Sequence, residues 1–246
     1  MRSVRTNAAG SVARFTATVE ADNGTYFCKG VPAGPGPALR AARIEARVNP
    51  HLPAARVPRL RWTVEAADWL VLGFDHFPGR HADLGPGPPD LPLVAAVLTE
   101  LATVLTPCGV PVQPATVRWG DWIDPAVVDG ETLVHTDVTP KNFLVSRVGD
   151  IQVIDWAMPV LGAAWIDAAR MIVRLIRAGN GPGQAEAWAS TVPSYAAAPA
   201  QKVTAFSLAM ARLASYRRTQ NAAEHVHQLA AAADAWAAHR TAAQIG

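Results

Sequence analysis

The order of the secondary-structure patterns along the chain limits the fold more than any other feature. In the first 74 residues apolar and polar side chains alternate, as at Phe15, Ala17 and Val19, and short turns separate the runs. Beyond Asp167 the pattern is helical and rich in alanine, a strong helix former. A sheet built early and helices built late predict an α+β protein with two lobes, a small β-rich N-terminal lobe and a larger, mainly helical C-terminal lobe.

Periodicity and turn residues outline the individual elements. We predict strands over residues 15–19, 25–29, 60–66 and 69–74, and three short apolar strand segments at 133–134, 143–145 and 151–154. We predict helices over residues 38–48, 91–105, 168–178, 184–189, 201–218 and 222–239. A change of character near residues 73–76 divides the chain into residues 1–75 and residues 76–246.

Composition excludes several classes of protein. Charged residues make up 17% of the chain and the net charge is +2, which excludes a disordered polyelectrolyte and argues against a nucleic-acid partner. The two cysteines, Cys28 and Cys108, match no metal-ligand spacing. No run approaches the roughly 20 apolar residues of a membrane span, and the N-terminus lacks the apolar core of a signal peptide. We therefore expect a cytoplasmic protein with no membrane partner.

The segment from Leu133 to Val145 carries the most specific chemical pattern. It has the spacing H-x-D-x-x-x-x-N, with His135, Asp137 and Asn142, between two apolar runs. A second carboxylate, Asp155, follows the next apolar run. Phosphoryl transfer needs a carboxylate that accepts the proton of the attacking hydroxyl, and oxygen ligands for the magnesium ion on the nucleotide phosphates. This pattern therefore predicts a phosphotransferase site.

The early segments offer a lysine and a glutamate for the same chemistry. Of the 22 basic residues only Lys29, Lys141 and Lys202 are lysines. Lys29 ends a predicted strand, and Glu45 follows on the next predicted helix beside the apolar stripe. A strand lysine held by a helix glutamate directs an ammonium group at nucleotide phosphates. The alternative interpretation is that Lys29 and Glu45 are two exposed charges without a functional role.

The combined features resemble the aminoglycoside phosphotransferase family, small-molecule kinases with a protein-kinase-like fold. The resemblance runs from Phe15 to Ile176 and rests on H-x-D-x-x-x-x-N and on Ile154-Asp155-Trp156. It implies that ATP or GTP and Mg²⁺ are used. It implies that Asp137 is the catalytic base and that Asn142 and Asp155 are metal ligands. It also implies that Lys29 binds the phosphates, with Glu45 as its partner. The hinge that binds adenine through backbone groups is then Leu72 to Asp75, with Leu72, Gly73 and Phe74 as the contact residues. Asp167 matches an aspartate that caps a helix behind the site, a structural role.

The sequence departs from the family pattern at three places. Thr136 stands where the family usually has glycine. Lys141 replaces a common glycine beside Asn142, and is expected either to contact the γ-phosphate or to be a solvated loop charge. In the phosphate-covering loop only Gly10 is present, and a preceding strand is either very short or missing because the start is truncated.

These features predict a magnesium-dependent kinase whose partner is a small-molecule hydroxyl acceptor. An antibiotic such as an aminoglycoside is one acceptor class, with resistance by phosphorylation as the consequence; a hydroxylated metabolite is the alternative. After Asp167 the helical region holds only three carboxylates, which are Glu186, Glu224 and Asp234. Three are too few for a strongly cationic acceptor unless loop aspartates contribute. A nucleotide-binding pseudokinase-like module is the competing class. A protein kinase is disfavoured, because the segment between Asp155 and Asp167 is short.

Three other features have ordinary interpretations. His135 is expected to bind the loop backbone rather than to catalyse. Most of the eight tryptophans are expected in the core. The run from Tyr216 to Arg218 is expected to be a solvated helix end.

Overall fold

The structure is a computed structural model, and it describes residues 2–7, 13–87 and 90–242. The loop around Gly10 lies outside the described residues. Backbone contacts divide the chain into two units. The first contains Met1–Arg80 and Leu144–Met158, and the second contains His81–Phe143 and Pro159–Gly246. This division adds residues 76–80 and a later segment to the first unit, whereas we predicted a single boundary after residue 75.

An antiparallel sheet dominates the first unit. Its strands are β1 (Ser3–Asn7), β2 (Phe15–Ala21), β3 (Gly24–Pro32), β4 (Leu60–Ala66) and β5 (Trp69–Asp75). The order of the strands is β1-β2-β3-β5-β4, so β5 is paired on both sides. The predicted turn at Ala67 and Asp68 is present, and both residues have positive φ, as a two-residue hairpin turn requires. β1 is five residues long, which agrees with the alternative of a very short first strand.

One helix covers this sheet. α1 (Pro37–Val48) buries Leu39, Ala42, Glu45 and Val48, which recur every third residue and form one face. That face packs on an apolar cluster from β3 and β5, which includes Val31, Leu70 and Leu72. A single 3₁₀ turn (Asn49–His51) follows the helix. Two short strands complete the elements of this region, β8 (Phe143–Val145) and β9 (Ile151–Val153), and they pair with each other.

The second unit is mainly helical. Its longer helices are α2 (Asp90–Val104), α5 (Ile166–Arg177), α6 (Pro182–Ala189), α8 (Ala200–Gln220) and α9 (Glu224–Ala242). β6 (Arg80–His81) spans the division between the two units. The short elements of the second unit are α3 (Ala115–Arg118), α4 (Pro125–Val128), β7 (Thr132–Val134), a 3₁₀ turn (Pro140–Asn142), β10 (Val160–Gly162) and α7 (Pro193–Ala196). β7 and β10 pair antiparallel. The mixed α+β class predicted from the sequence is confirmed.

Aromatic side chains form much of the core of the second unit. The ring of Phe206 on α8 contacts Trp119, Trp165 and Trp236, with centroids 5.7, 5.2 and 6.4 Å away. All four side chains are buried, and so is Trp156 in the first unit. Trp62 and Trp69 are only half-buried on the sheet. The core position expected for the tryptophans therefore holds fully for some of them and partly for others.

Candidate active site

Lys29 lies at the centre of a charged cluster in the first unit. Its Nζ donates hydrogen bonds to Glu45 Oε1 and Asp155 Oδ1, each 2.8 Å away. The side chains of Lys29 and Glu45 are 15% and 6% exposed, so this ion pair is largely shielded from water. The pairing predicted between Lys29 and Glu45 is present, because Glu45 belongs to the buried face of α1. The contact with Asp155 was not predicted.

Electrostatics and packing fix the ammonium group of Lys29. Burial lowers the pKa of Lys29, but the adjacent carboxylates of Glu45 and Asp155 outweigh burial and raise the pKa above its ordinary value. The ring of Phe74 lies 5.7 Å from Nζ. Lys29 is therefore held as a cation at a defined place on the sheet.

Asp155 follows β9 in a strained backbone conformation. Its φ is +67°, a left-handed value that is uncommon for residues other than glycine. The next residue, Trp156, is buried and its indole Nε1 donates to Val153 O at 3.1 Å. This anchored turn directs the Asp155 carboxylate toward Lys29, and the side chain keeps 30% of its surface exposed.

Asp137 lies in a tightly bonded loop of the second unit, immediately after β7. Asn142 Nδ2 donates to the backbone oxygen of Asp137 at 2.7 Å and to its Oδ2 at 3.2 Å. The side chain of Asp137 is 45% exposed, whereas Asn142 is buried. The loop therefore presents an oriented carboxylate to solvent. His135 Nδ1 accepts from Asp137 N at 3.2 Å, which agrees with the expectation that this histidine binds the loop backbone.

Asp167 holds the start of the same loop. Its Oδ2 accepts from His135 N at 2.7 Å, and its Oδ1 accepts from Thr136 N at 2.8 Å. Thr136 has φ +67°, which explains why glycine suits this position. We expected Asp167 to cap a helix, and that detail is wrong. Asp167 is the second residue of α5, after Ile166, and its carboxylate binds the loop instead.

Arg170 and Arg174 were missed by the sequence reasoning. Arg170 Nε donates to the backbone oxygen of Thr136, and Arg174 Nη2 lies 3.6 Å from Asp137 Oδ1. Residues three and four apart share one face of a helix, so Asp167, Arg170 and Arg174 all direct their side chains at the loop. This spacing was visible in the sequence as a signal, but nothing in it identified the loop as the target.

The predicted adenine contacts within β5 disagree with the sheet. Cys28 and Trp62 on the neighbouring strands pair with Gly73, and Lys29 and Thr63 pair with Leu72. In a strand with neighbours on both sides, the backbone groups are used by the ladder. A Cβ at Gly73 would lie 2.1 Å from the Trp62 ring, so packing accounts for this glycine. The pairing of β5 on both sides therefore argues against the predicted backbone contact of adenine with Leu72, Gly73 and Phe74.

The two other predicted site residues are placed differently. Lys141 lies in the 3₁₀ turn before β8 and is exposed, which leaves both of its proposed interpretations open. Asn142 turns its amide nitrogen to Asp137, so its amide oxygen remains as a potential metal ligand. The predicted residues are thus gathered into two clusters, one with Lys29, Glu45 and Asp155 in the first unit and one with Asp137 and Asn142 in the second.

The donor atoms fit a magnesium ion chemically. Asn142 and Asp155 provide an amide oxygen and a carboxylate, the hard ligands that Mg²⁺ prefers. Within residues 2–7, 13–87 and 90–242 no group of three or more His, Cys, Asp or Glu side chains is arranged to hold a metal. Magnesium bound together with nucleotide phosphates needs only one or two protein ligands, so each of these oxygens has the chemistry of a magnesium ligand.

Part of the sequence is similar to a known family of enzymes. The sequence profile of the phosphotransferase enzyme family (APH) matches residues 78–198, which include Asp137, Asn142 and Asp155. The match covers just under half of the chain, and over that region the chain is similar to this family. The resemblance stated from the sequence is thereby confirmed. No curated protein matches the sequence.

Solved structures of phosphotransferases share the fold. Choline kinase LicA from Streptococcus pneumoniae is similar over 96% of this chain and 93% of its own, at 13% identity and a TM-score of 0.62. LicA in complex with AMP is similar over 98% and 94%, at 12% identity and a TM-score of 0.60. A thermostable mutant of aminoglycoside phosphotransferase APH(4)-Ia, in a ternary complex with AMP-PNP and hygromycin B, is similar over 95% of this chain and 94% of its own, at 14% identity and a TM-score of 0.57. At these identities the likeness shows the fold alone, and the predicted kinase-like fold is confirmed.

The described helices were also compared with the length and hydropathy of membrane spans. In the part of the chain that the structure covers, every helix is too short or too polar to cross a bilayer.

Proposed function

We propose that this protein transfers the γ-phosphoryl group of ATP or GTP to a hydroxyl group of a small molecule. The observation that carries the proposal is the cluster in which Lys29 is held by Glu45 and Asp155. In kinases the strand lysine must be paired with a helix glutamate, and the metal-binding aspartate must be in place, before transfer occurs.

The chemistry of the proposed transfer is a displacement at phosphorus. The acceptor oxygen forms a bond to the γ-phosphorus, and the bond from that phosphorus to the bridging oxygen breaks, so that ADP or GDP leaves. The acceptor proton passes to Asp137. This carboxylate has the exposure that an acceptor requires, and its hydrogen bond from Asn142 orients it.

The other residues of the proposal bind and position. Lys29 binds the α- and β-phosphates, and Glu45 keeps its ammonium in place. Asn142 and Asp155 are the proposed ligands of Mg²⁺, which, when bound, neutralises charge on the phosphates. We place the adenine contact after β5, in residues 76–79, which belong to no strand in the structure.

The experiment measures nucleotide binding and phosphoryl transfer separately. Binding of ATP and GTP with Mg²⁺ is measured by calorimetry, and transfer from labelled nucleotide is measured over aminoglycosides, other antibiotics and hydroxylated metabolites. We expect Asp137→Asn to lower kcat by about 10²–10⁴-fold while nucleotide binding is kept. Asp150→Asn, at an exposed position after β8, is the matched control and keeps full activity.

Two results contradict the proposal. Undiminished transfer by Asp137→Asn shows that this carboxylate is not the base. Nucleotide binding without transfer to any acceptor favours a pseudokinase-like module. An antibiotic acceptor, a role in resistance and a cytoplasmic setting remain proposals, and the acceptor panel tests the first of them.

A further inference from the structure

A cavity of about 500 Å³ opens between α5, α8 and α9 in the second unit. Its polar lining consists of Arg170, Arg174, Arg217, Gln220, Asn221 and His225. Apolar side chains such as Met210, Leu213 and Leu229 form the rest of its wall. Pockets of about 300–1,000 Å³ are typical of small-molecule sites. The cavity therefore has the size and the mixed lining of a ligand site.

The cavity is continuous with the proposed catalytic base through one side chain. Arg174 lines the cavity and also lies 3.6 Å from Asp137 Oδ1. A ligand that contacts the guanidinium of Arg174 is therefore close to Asp137. Since Arg170 is bonded to Thr136 O, the same wall of the cavity also fixes the loop that carries the base.

Positive charge dominates this region. Arg118 on α3 interacts electrostatically with Asp137, Asp167 and Arg217, and so belongs to the same group of charges as the three lining arginines. Burial lowers the pKa of Arg170, and the like charges of Arg174 and Arg118 lower it further. Burial also lowers the pKa of Arg174, against the opposing effect of the Asp137 carboxylate. Burial first, and like charges second, thus leave both guanidinium groups less stabilised than they are in water.

The carboxylates that a cationic ligand needs lie elsewhere. Among the described residues, the lining of the cavity includes no Asp or Glu. Glu186 is bonded to Arg240 and Tyr195, whereas Glu224 and Asp234 are exposed on α9. An ammonium group removed from water needs paired anions, which this cavity does not supply.

We propose that the acceptor is a hydroxylated small molecule that carries an oxyanion, either a carboxylate or a phosphate. Arg174 and Arg217 bind the oxyanion, the apolar wall contacts the carbon skeleton, and the hydroxyl group lies at Asp137. Guanidinium groups suit this task because their donors match the geometry of carboxylate and phosphate oxygens. The inference rests on the proposed phosphotransfer and narrows its acceptor class.

The first test measures binding without turnover. Calorimetry compares mandelate with its neutral amide, and glycerol 3-phosphate with glycerol, so the two pairs distinguish carboxylate from phosphate recognition. We expect the anion of at least one pair to bind at least about tenfold more tightly than its neutral partner. Equal binding within both pairs overturns the inference.

Two charge-reversal variants locate the binding. Arg217 lines the cavity, whereas its neighbour Arg218 is exposed on α8 and is absent from the lining. We expect Arg217→Glu to weaken binding of the preferred anion by about tenfold or more, and Arg218→Glu to change it by less than about threefold. Both variants keep the same net charge, so equal losses in the two indicate a general field effect and overturn the assigned site. Circular dichroism verifies that both are folded.

Phosphoryl transfer separates this inference from the proposed function. Choline and hygromycin B serve as cationic acceptors beside the four probes above. Transfer to cationic acceptors in preference to the anions overturns the inference and leaves the proposed function standing. Anion binding that depends on Arg217, with no transfer to any acceptor, supports the anion site and contradicts the proposed function.

Discussion

The two charged clusters of this protein have opposite imbalances. Around Lys29, one ammonium group faces two carboxylates, Glu45 and Asp155. Around Asp137, the three arginines that line the cavity and Arg118 exceed the two carboxylates Asp137 and Asp167. Each cluster therefore carries a surplus charge opposite to that of the ligand proposed for it, magnesium in the first and an oxyanion in the second.

The comparison also separates two uses of buried charge. The Lys29 cluster joins its charges by short hydrogen bonds within the chain, so removing the cation takes its closest positive charge from the shielded carboxylate of Glu45. The arginines of the second cluster repel one another, so removing one cation reduces this electrostatic repulsion. Substitutions in each cluster test this difference.

Removing the Lys29 ammonium has the largest expected effect on stability. Lys29→Met leaves the Glu45 carboxylate only 6% exposed and without this cation, and we expect a loss of about 3–5 kcal/mol in the free energy of unfolding. Chemical denaturation measures the change. Lys202→Met is the matched control, because Lys202 Nζ bonds only a backbone oxygen, Ala126 O, at an exposed site, and we expect a cost of about 1 kcal/mol or less. Equal losses in both variants contradict the comparison.

The pH dependence of the same pair identifies its cause. Since the folded-state pKa of Lys29 is raised above 10.5, the stabilisation is fully present below that pH and is lost as the pH rises toward the folded value. We expect the difference in unfolding free energy between wild type and Lys29→Met to stay constant from neutral pH upward and to shrink above pH 10.5. A difference that grows over this alkaline range contradicts the electrostatic explanation.

A substitution of Asp167 tests whether hydrogen bonds within the Asp137 cluster stabilise the fold. Its two oxygens accept from His135 N and Thr136 N, and both residues are only 1% exposed. In Asp167→Asn the amide oxygen accepts from one N–H, but the NH₂ group faces the other, which loses this acceptor. We expect a loss of about 2 kcal/mol, measured by denaturation. Asp129→Asn, at an exposed position, is the control and changes stability by less than about 0.5 kcal/mol.

Neutralising Arg217 has the smallest expected effect on stability. Because its neighbours are like charges, we expect Arg217→Gln to raise the free energy of unfolding by no more than about 0.5 kcal/mol at low salt. The gain disappears in about 1 M salt, where the Debye length is short. Arg218→Gln is the matched control. A clear loss of stability at Arg217 means that its charge is already paired within the protein.

The sequence was sufficient where the signal is local. Alternation and turn residues predicted β2 to β5, and a lysine on a strand followed by a glutamate on the next helix predicted the contact of Lys29 with Glu45. The spacing H-x-D-x-x-x-x-N predicted a phosphotransferase site at this segment, and the structure adds the contact of Asn142 with Asp137. Their catalytic and metal-binding roles remain predictions. Elements of two to four residues, such as β6, β10 and α7, were missed because they are too short to show a period.

Long-range arrangement accounts for what could not be predicted. Lys29 and Asp155 are separated by 126 positions, and no spacing rule joins them. Periodicity identified β5 as a strand but not its two neighbours, so the pairing of Gly73 with both Cys28 and Trp62 could not be predicted. The cavity draws its arginines from α5 and α8, so it depends on how the helices pack. Arg217 was expected to be a solvated helix end, and it is exposed, but it also lines this cavity.

One face of α5 both binds the loop of Asp137 and lines the cavity, and this limits where substitutions can change the acceptor. Asp167, Arg170 and Arg174 tie this helix to the loop of Asp137, so a substitution there alters the base as well as the cavity. Leu213, Arg217 and Leu229 on α8 and α9 line the same cavity, whereas the bonds to the loop described above come from α5. We therefore expect variants selected for a new acceptor to carry their substitutions on α8 and α9, while α5 keeps its residues.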